Sequence, residues 1–502
     1  LFEAFYTKTV QILRSTKFFY ASLVLFVVES SWIALSGVYP MAYDEDTHLG
    51  IIRLYTHHVS PIWLHPPAGP APFGAVSRDP SYLYHYLLSF PYHLFSLLFS
   101  SQTAQVLFLR FISVGLFTLG LVLYRRLLKH TGASKALIHA VLLFIILTPV
   151  VPTVAAQINY DNLLFPLTAV TLLMAIRCTE QIKRRRKLDV VPLSVLLAVC
   201  LLTSLVKYAF LPILGGIMIW VGLTAYRHVK QRSLRAMARN ALAQLEQLSR
   251  LKQLGLILFV LLAGVLFVER YGINTVRYGT PIPECNQVVG IDRCLAYGPW
   301  RRNYLTYQDK MHGLIRPPFT DPVRYTTQIW FGHMAATLFF YVSGPSSQYD
   351  VGDPFNTTLF TMTSLLVVGI VLIMFYAKRL LRRYQVQPLF NIGLLYIFTL
   401  LLHGYSDFRH LGLAVALQGR YFFPVLPLLY LVFALAYAEL LRTRPYLKAI
   451  LIWLVVAVLL FEGGGVSVFI LRGHDEWYWP NHSVTAMNHV AKRLLGWFSI
   501  SV

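Results

Sequence analysis

The chain has 502 residues, of which 56% are hydrophobic and only 13% charged. An ordinary soluble domain carries roughly 25% charged residues, so most of this surface faces something other than water. The net charge of +22 is gathered in short Lys/Arg blocks between apolar runs, which argues against a nucleic-acid stripe and fits membrane orientation.

Apolar runs of spanning length fall near 18–38, 104–124, 136–156, 161–177, 191–207, 208–225, 254–271, 357–377, 388–403, 420–440 and 448–471. They predict an all-α polytopic membrane protein with about 11 transmembrane helices. The first run, Phe18 to Val38, follows Lys8, Arg14 and Lys17 and has no small-residue cleavage site, so it reads as a retained anchor. With the N-terminus cytoplasmic, Arg125-Arg126, Lys183 to Lys187, Arg227 to Arg239, Lys378 to Arg383, and Arg442 with Arg444 all fall on the inner side. Counting Tyr82 to Phe99 as a further span would turn every later basic loop outward. That stretch and Gln328 to Val342 are therefore expected to be amphipathic juxtamembrane helices in external loops.

Residues 1–502 then form a single transmembrane domain. Its expected parts are a first external loop at 40–103, a second large external region at 272–356 and an external C-terminal tail at 472–502. This describes a multi-pass protein of the plasma (inner) membrane with its C-terminus and reactive side chains extracytoplasmic. Cys285 and Cys294 lie close together in the second region and are a disulfide candidate; four cysteines are too few for a disulfide scaffold.

Directly after the first span stands Tyr43-Asp44-Glu45-Asp46-Thr47-His48. Three consecutive carboxylates repel one another, and such crowding at a membrane boundary is how a general base or a ligand site is made; the alternative is a solvated turn that caps the helix starting near Thr47. Lys207 sits between two apolar runs, where an unpaired ammonium costs a few kcal/mol, so it requires a carboxylate, a carbonyl or a phosphate. Asp161, at a corresponding outer end, is the candidate partner.

Asp44-Glu45 directly after the first span resembles the acidic motif of the GT-C superfamily of membrane glycosyltransferases, which use polyprenyl-phosphate-linked sugars. The following stretch is also similar: Pro66-Pro67, then Asp79-Pro80-Ser81-Tyr82-Leu83-Tyr84, then a span carrying Arg110 and closing with Tyr124-Arg125-Arg126. Pro80-Ser81-Tyr82-Leu83 departs from the Pro-Pro-Leu-Tyr-like stretch of those enzymes. Further on, Asn159-Tyr160-Asp161-Asn162, Leu205-Val206-Lys207-Tyr208 and Gln418-Gly419-Arg420-Tyr421-Phe422-Phe423-Pro424 look like a bacterial branch of membrane proteins with GT-C character.

The resemblance implies a GT-C-like fold and an inverting hexosyl- or pentosyltransferase. Such an enzyme moves sugar from a polyprenyl-phosphate donor to a hydroxyl of a glycan, lipid or protein acceptor in cell-envelope glycan biosynthesis. It marks Asp44 and Glu45 as catalytic, with Asp44 the base. Asp46 and His48 are candidates for holding the acceptor or a divalent metal, although one His beside three carboxylates is a weak metal signature and no cofactor is required. Arg420, at the mouth of a span, is the first candidate for the donor phosphate because guanidinium grips phosphate bidentately. Lys207, Arg409 and His410 support it, as do Tyr160, Asp161, Gln418 and Tyr421. The alternative is a transporter or lipid-linked glycan flippase. That class calls for charges at mid-membrane or broken helices in matching halves, whereas the polar residues here gather at one face.

Overall fold

The computed structural model describes residues 2–229, 243–339 and 357–498. Parts of the basic run Arg227 to Lys252, of the 272–356 region including the end of Gln328 to Val342, and of the tail lie outside the described residues. Helices make up the fold, and the described residues contain no strand beyond one isolated bridge between Gly37 and Tyr478.

Among the described residues seven helices are long and apolar enough to cross a membrane: Thr16–Ser36 (α2), Gln102–Lys129 (α5), Asp161–Arg185 (α8), Tyr208–His228, Arg250–Tyr278, Thr357–Arg383 and Gln387–Leu411. Four more apolar helices, Lys135–Leu147 (α6), Val190–Val206 (α9), Leu426–Leu440 and Pro445–Phe461, occupy the other expected spans but are shorter. At 1.5 Å per residue the longest of these reach about 25 Å against the ~30 Å of a bilayer core, so length and composition together support seven crossings.

The outward faces identify the surrounding solvent. On Arg250–Phe267 the first turn exposes Arg250, Leu251 and Lys252, and beyond it the exposed side chains are Leu254, Ile257, Leu258, Leu261, Leu262 and Val265, one continuous stripe at helical spacing. A water-facing helix would place charges along that stripe; beyond its first turn this one presents only hydrocarbon, as a polytopic membrane protein requires.

Three expected spans are interrupted, each where proline or glycine forbids continuation. The run 136–156 stops at Leu147 and resumes as Val150–Ala155 (α7) after Thr148-Pro149. The run 448–471 ends at Phe461, and Gly463 and Gly465 take left-handed φ before Val466–Arg472 begins. The run 420–440 begins as a separate 3-10 turn, Gly419–Phe422, and its helix starts only at Leu426, beyond Pro424. That interruption releases Arg420 from the helix.

The first loop carries two helices, Glu45–Tyr55 (α3) and Leu83–Leu98 (α4). α4 buries Tyr84, His85, Leu88 and Tyr92 and exposes Leu87, Phe90, Leu94 and Leu97, so it is one-sided and packs along α3. The tail folds back on the end of α2. Val38 N donates to Trp477 O at 2.9 Å, Trp479 N to Ser36 O at 3.0 Å, and Trp32 Nε1 to Asn488 Oδ1 at 2.9 Å.

Candidate active site

The residues from Gly37 to Glu45 form a turn whose organiser is Arg110, one of the largest fully buried side chains. Its guanidinium grips Glu45 bidentately, Nε to Oε1 at 2.8 Å and Nη2 to Oε2 at 2.7 Å. Its remaining N–H groups donate to Ala34 O at 2.9 Å, Gly37 O at 2.6 Å and Val38 O at 3.3 Å. A cation thus satisfies the orphan carbonyls where α2 ends, the favourable sign for a helix C-terminus. The Glu45 carboxylate also accepts from Met41 N at 2.7 Å and Ile158 N at 3.2 Å.

Within this frame Tyr43 and Asp44 both adopt left-handed backbone, at φ 64° and 65°. Consecutive non-glycine residues there are strained by about 1–3 kcal/mol each and persist because the surroundings enforce them. Asn159 Nδ2 donates to Tyr43 O at 3.2 Å, and His48 N to Asp44 O at 3.0 Å. The result turns Asp44 away from Glu45, with its side chain 40% exposed.

The three carboxylates, expected to crowd one another, are separated. Glu45 is fully buried on Arg110, Asp46 is exposed on the first turn of α3 where it favours the helix N-terminus, and Asp44 faces Arg420. His48 does not join them through any contact seen here. Its Nδ1 lies 2.8 Å from His85 Nε2, and its ring meets the Tyr160 ring edge-on with centroids 4.6 Å apart. Burial holds both imidazoles neutral, His48 well below the ordinary histidine value and His85 at about 3. Among the described residues no group of three His, Cys, Asp or Glu side chains is placed to hold a metal ion.

Four charges from four parts of the chain alternate in sign. Arg420 Nη2 lies 3.5 Å from Asp44 Oδ2, Arg420 Nη1 lies 3.6 Å from Asp161 Oδ2, and Lys207 Nζ donates to Asp161 Oδ1 at 2.7 Å. Arg420 is 2% exposed, and its Nη1 makes no hydrogen bond. Gln418 Oε1 accepts from Arg420 Nε at 2.6 Å and sets its orientation. Tyr160 and Tyr421 present ring faces to Lys207 Nζ at 4.4 and 4.7 Å, and Tyr43 lies under the Arg420 guanidinium at 4.7 Å.

The helix ends explain the assembly. Asp161 opens α8 while Lys207 follows the end of α9, so the antiparallel pair brings them to one end of the bundle. Arg420 is held there by Tyr124, whose hydroxyl donates to Pro424 O at 2.6 Å, and by Gly419, whose N donates to Thr337 Oγ1 at 2.7 Å. A Cβ on Gly419 would stand 2.6 Å from the Leu338 backbone, so only glycine permits this approach.

Arg409 and His410 lie apart from this group by their contacts. The helix Gln387–Leu411 continues through both, and Lys310 Nζ caps their carbonyls at 2.6 and 2.8 Å. His410 stacks on Tyr307 with ring centroids 4.5 Å apart.

Asp79 and Tyr297 were not singled out as site residues by sequence. Asp79 is open to water, accepts from Ser81 N at 2.8 Å and has no cation within 4.0 Å among the described residues. The protein crowded around it raises its carboxyl above the usual value. Tyr297 is pushed up by burial and by the fields of Asp44 and Asp79, and so lies in range of both. Its position follows from the Cys285–Cys294 disulfide, Cα–Cα 5.9 Å, which closes a small unit docked on the first loop. Ala71 N donates to Arg293 O at 3.0 Å and Arg293 Nε to Gly69 O at 2.7 Å.

No protein-family model matches the chain, and no curated protein matches it. A solved structure with similarity is that of the Archaeoglobus fulgidus oligosaccharyltransferase, tethered with an acceptor peptide containing the NVT sequon via a disulfide bond. The two are 12% identical with a TM-score of 0.42, over 93% of this chain and 56% of that one. This chain therefore spans little more than half the length of that protein.

Proposed function

We propose that the protein is an inverting glycosyltransferase that moves a sugar from a polyprenyl-phosphate donor to an acceptor hydroxyl, with its site on the extracytoplasmic face. The observation that carries this reading is a buried guanidinium with an unbonded Nη1, beside an open carboxylate held in strained backbone. A departing phosphate needs cations in a low-dielectric setting, and an attacking hydroxyl needs a base within reach.

In the proposed step the Asp44 carboxylate takes the acceptor O–H proton as the acceptor oxygen forms its bond to the sugar's anomeric carbon. The bond from that carbon to the phosphate oxygen breaks, and its electron pair leaves on the polyprenyl phosphate. Arg420 and Lys207 meet the developing charge; Asp161 keeps Lys207 in place at 2.7 Å. A single displacement with one base and no covalent sugar intermediate inverts the anomeric centre. Asp79 and Tyr297 supply polar contacts on the acceptor side, and Glu45 acts as a positioning residue through Arg110.

The test is transfer or hydrolysis of a panel of polyprenyl-phosphate sugars by purified protein, with acceptors varied. Asp44→Asn is expected to lose activity while remaining folded, and Arg420→Ala to lose donor turnover. An Asp44→Asn protein as active as the wild type would remove the base and with it the mechanism.

A further inference from the structure

At the other end of the bundle a cavity of about 540 Å³ runs between the amphipathic helix Phe2–Arg14 (α1), α6 and the helices Thr357–Arg383, Leu426–Leu440 and Pro445–Phe461. Its depth is apolar, lined by Leu13, Phe144, Met362, Phe433 and Val455. Arg383, Arg442 and Lys448 line its basic end. The helix Leu426–Leu440, 15 residues and thus about 22 Å long, separates that end from Arg420. A phosphate bound here is therefore not the one bound at the candidate active site.

The charges at the basic end do not balance. Glu439 is nearly buried and is shared by Arg379 at 2.7 Å, Arg383 at 3.3 Å and Arg442 at 3.7 Å. Lys448 has no carboxylate within 4.0 Å among the described residues. Four cations therefore surround one anion, an excess of three positive charges beside an apolar channel. A zwitterionic headgroup leaves this excess uncompensated, whereas an anionic one compensates it and places its chain in the cavity.

We propose that this cavity binds one anionic phospholipid, its phosphate held by Arg383, Arg442 and Lys448 and an acyl chain lying along α1 and α6. Such a lipid joins α1 to helices more than 400 residues away in sequence, reinforcing the link that Trp453 Nε1 makes to Thr9 Oγ1 at 3.1 Å. The inference does not depend on the glycosyl-transfer reading.

Full-length protein, purified in detergent and stripped of lipid, is titrated with phosphatidylglycerol or phosphatidylcholine of the same chains, and retained lipid is counted by native mass spectrometry. The wild type is expected to retain one phosphatidylglycerol at tenfold or more lower concentration than phosphatidylcholine. Lys448→Ala is expected to weaken that retention about fivefold, and Arg442→Ala with it by a similar further factor. Glu439 keeps Arg379 in both variants, so the fold is spared a bare buried carboxylate. Ala434→Phe, which fills the channel, is expected to weaken retention of both lipids.

Equal retention of the two lipids by the wild type overturns the proposal, as does undiminished phosphatidylglycerol retention in Ala434→Phe. Displacement by inorganic phosphate alone would reduce the site to a surface anion patch and overturn the lipid assignment. Displacement by polyprenyl phosphate at lower concentration than phosphatidylglycerol would make the occupant a donor-type lipid and overturn it equally.

Discussion

Asp44 and Glu45 are neighbours in sequence and opposites in environment. Glu45 is fully buried, held bidentately by Arg110 and bonded to two backbone N–H groups, and so has no capacity left for a ligand. Asp44 is 40% exposed, meets Arg420 only at 3.5 Å and sits in backbone that only its surroundings hold in place. The pair teaches how saturation separates two ion pairs: where every donor has its acceptor the charges build the fold, and where a guanidinium nitrogen makes no hydrogen bond there is capacity left for a ligand.

The contrast can be broken from either side. The largest expected effect is on turnover: Asp44→Asn, which tolerates left-handed backbone at least as well as Asp, should lower donor consumption about 10²–10⁴-fold with an unchanged melting temperature. Glu45→Gln should do the reverse in character. Removing one partner of a fully buried pair leaves the Arg110 charge uncompensated and should cost about 3–5 kcal/mol of stability, read as a lowered melting temperature in detergent. Arg420→Lys sharpens the distinction further: it keeps the charge but loses the fork, and should reduce turnover about 10–100-fold without matching that loss of stability.

A last effect, read on stability alone, concerns the histidine pair behind the site. Because His48 and His85 are held neutral, the unfolded chain binds more protons than the folded one from about pH 6.5 down to the depressed folded values. Stability is therefore full above pH 6.5 and falls as the pH drops, by up to about 1.4 kcal/mol per pH unit per histidine. A melting-temperature series from pH 7.5 to 5 should show that slope, and His85→Asn should reduce it.

Much of this architecture was legible in the chain because hydropathy reports helix length directly. The spans starting near residues 18, 104, 161 and 208 correspond to helices of 21, 28, 25 and 21 residues. The partnership of Lys207 with Asp161 was also legible, since an ammonium between apolar runs has few ways to exist. The division of labour between Asp44 and Glu45 was not. It depends on Arg110, 65 residues beyond Glu45, and on two left-handed residues that no composition signal marks. Arg409 and His410 stand near Arg420 in sequence, but Gly412 takes left-handed φ after their helix and the chain reaches Arg420 by a separate turn. Nothing in the chain marks Asp79, though it stands in a motif, or Tyr297 as neighbours of Asp44, because the disulfide unit and the first loop meet only in three dimensions.

The left-handed turn at Asp44 has a consequence for how this protein can be improved. Glycine is the residue that backbone prefers there, so Asp44→Gly relieves local strain while deleting the carboxylate. Any selection for robustness alone would drift toward that replacement. A carboxylate at position 44 is thus a compromise in which the chain forgoes attainable stability to keep a charged group aimed at Arg420, and stabilising substitutions sought elsewhere should leave this turn untouched.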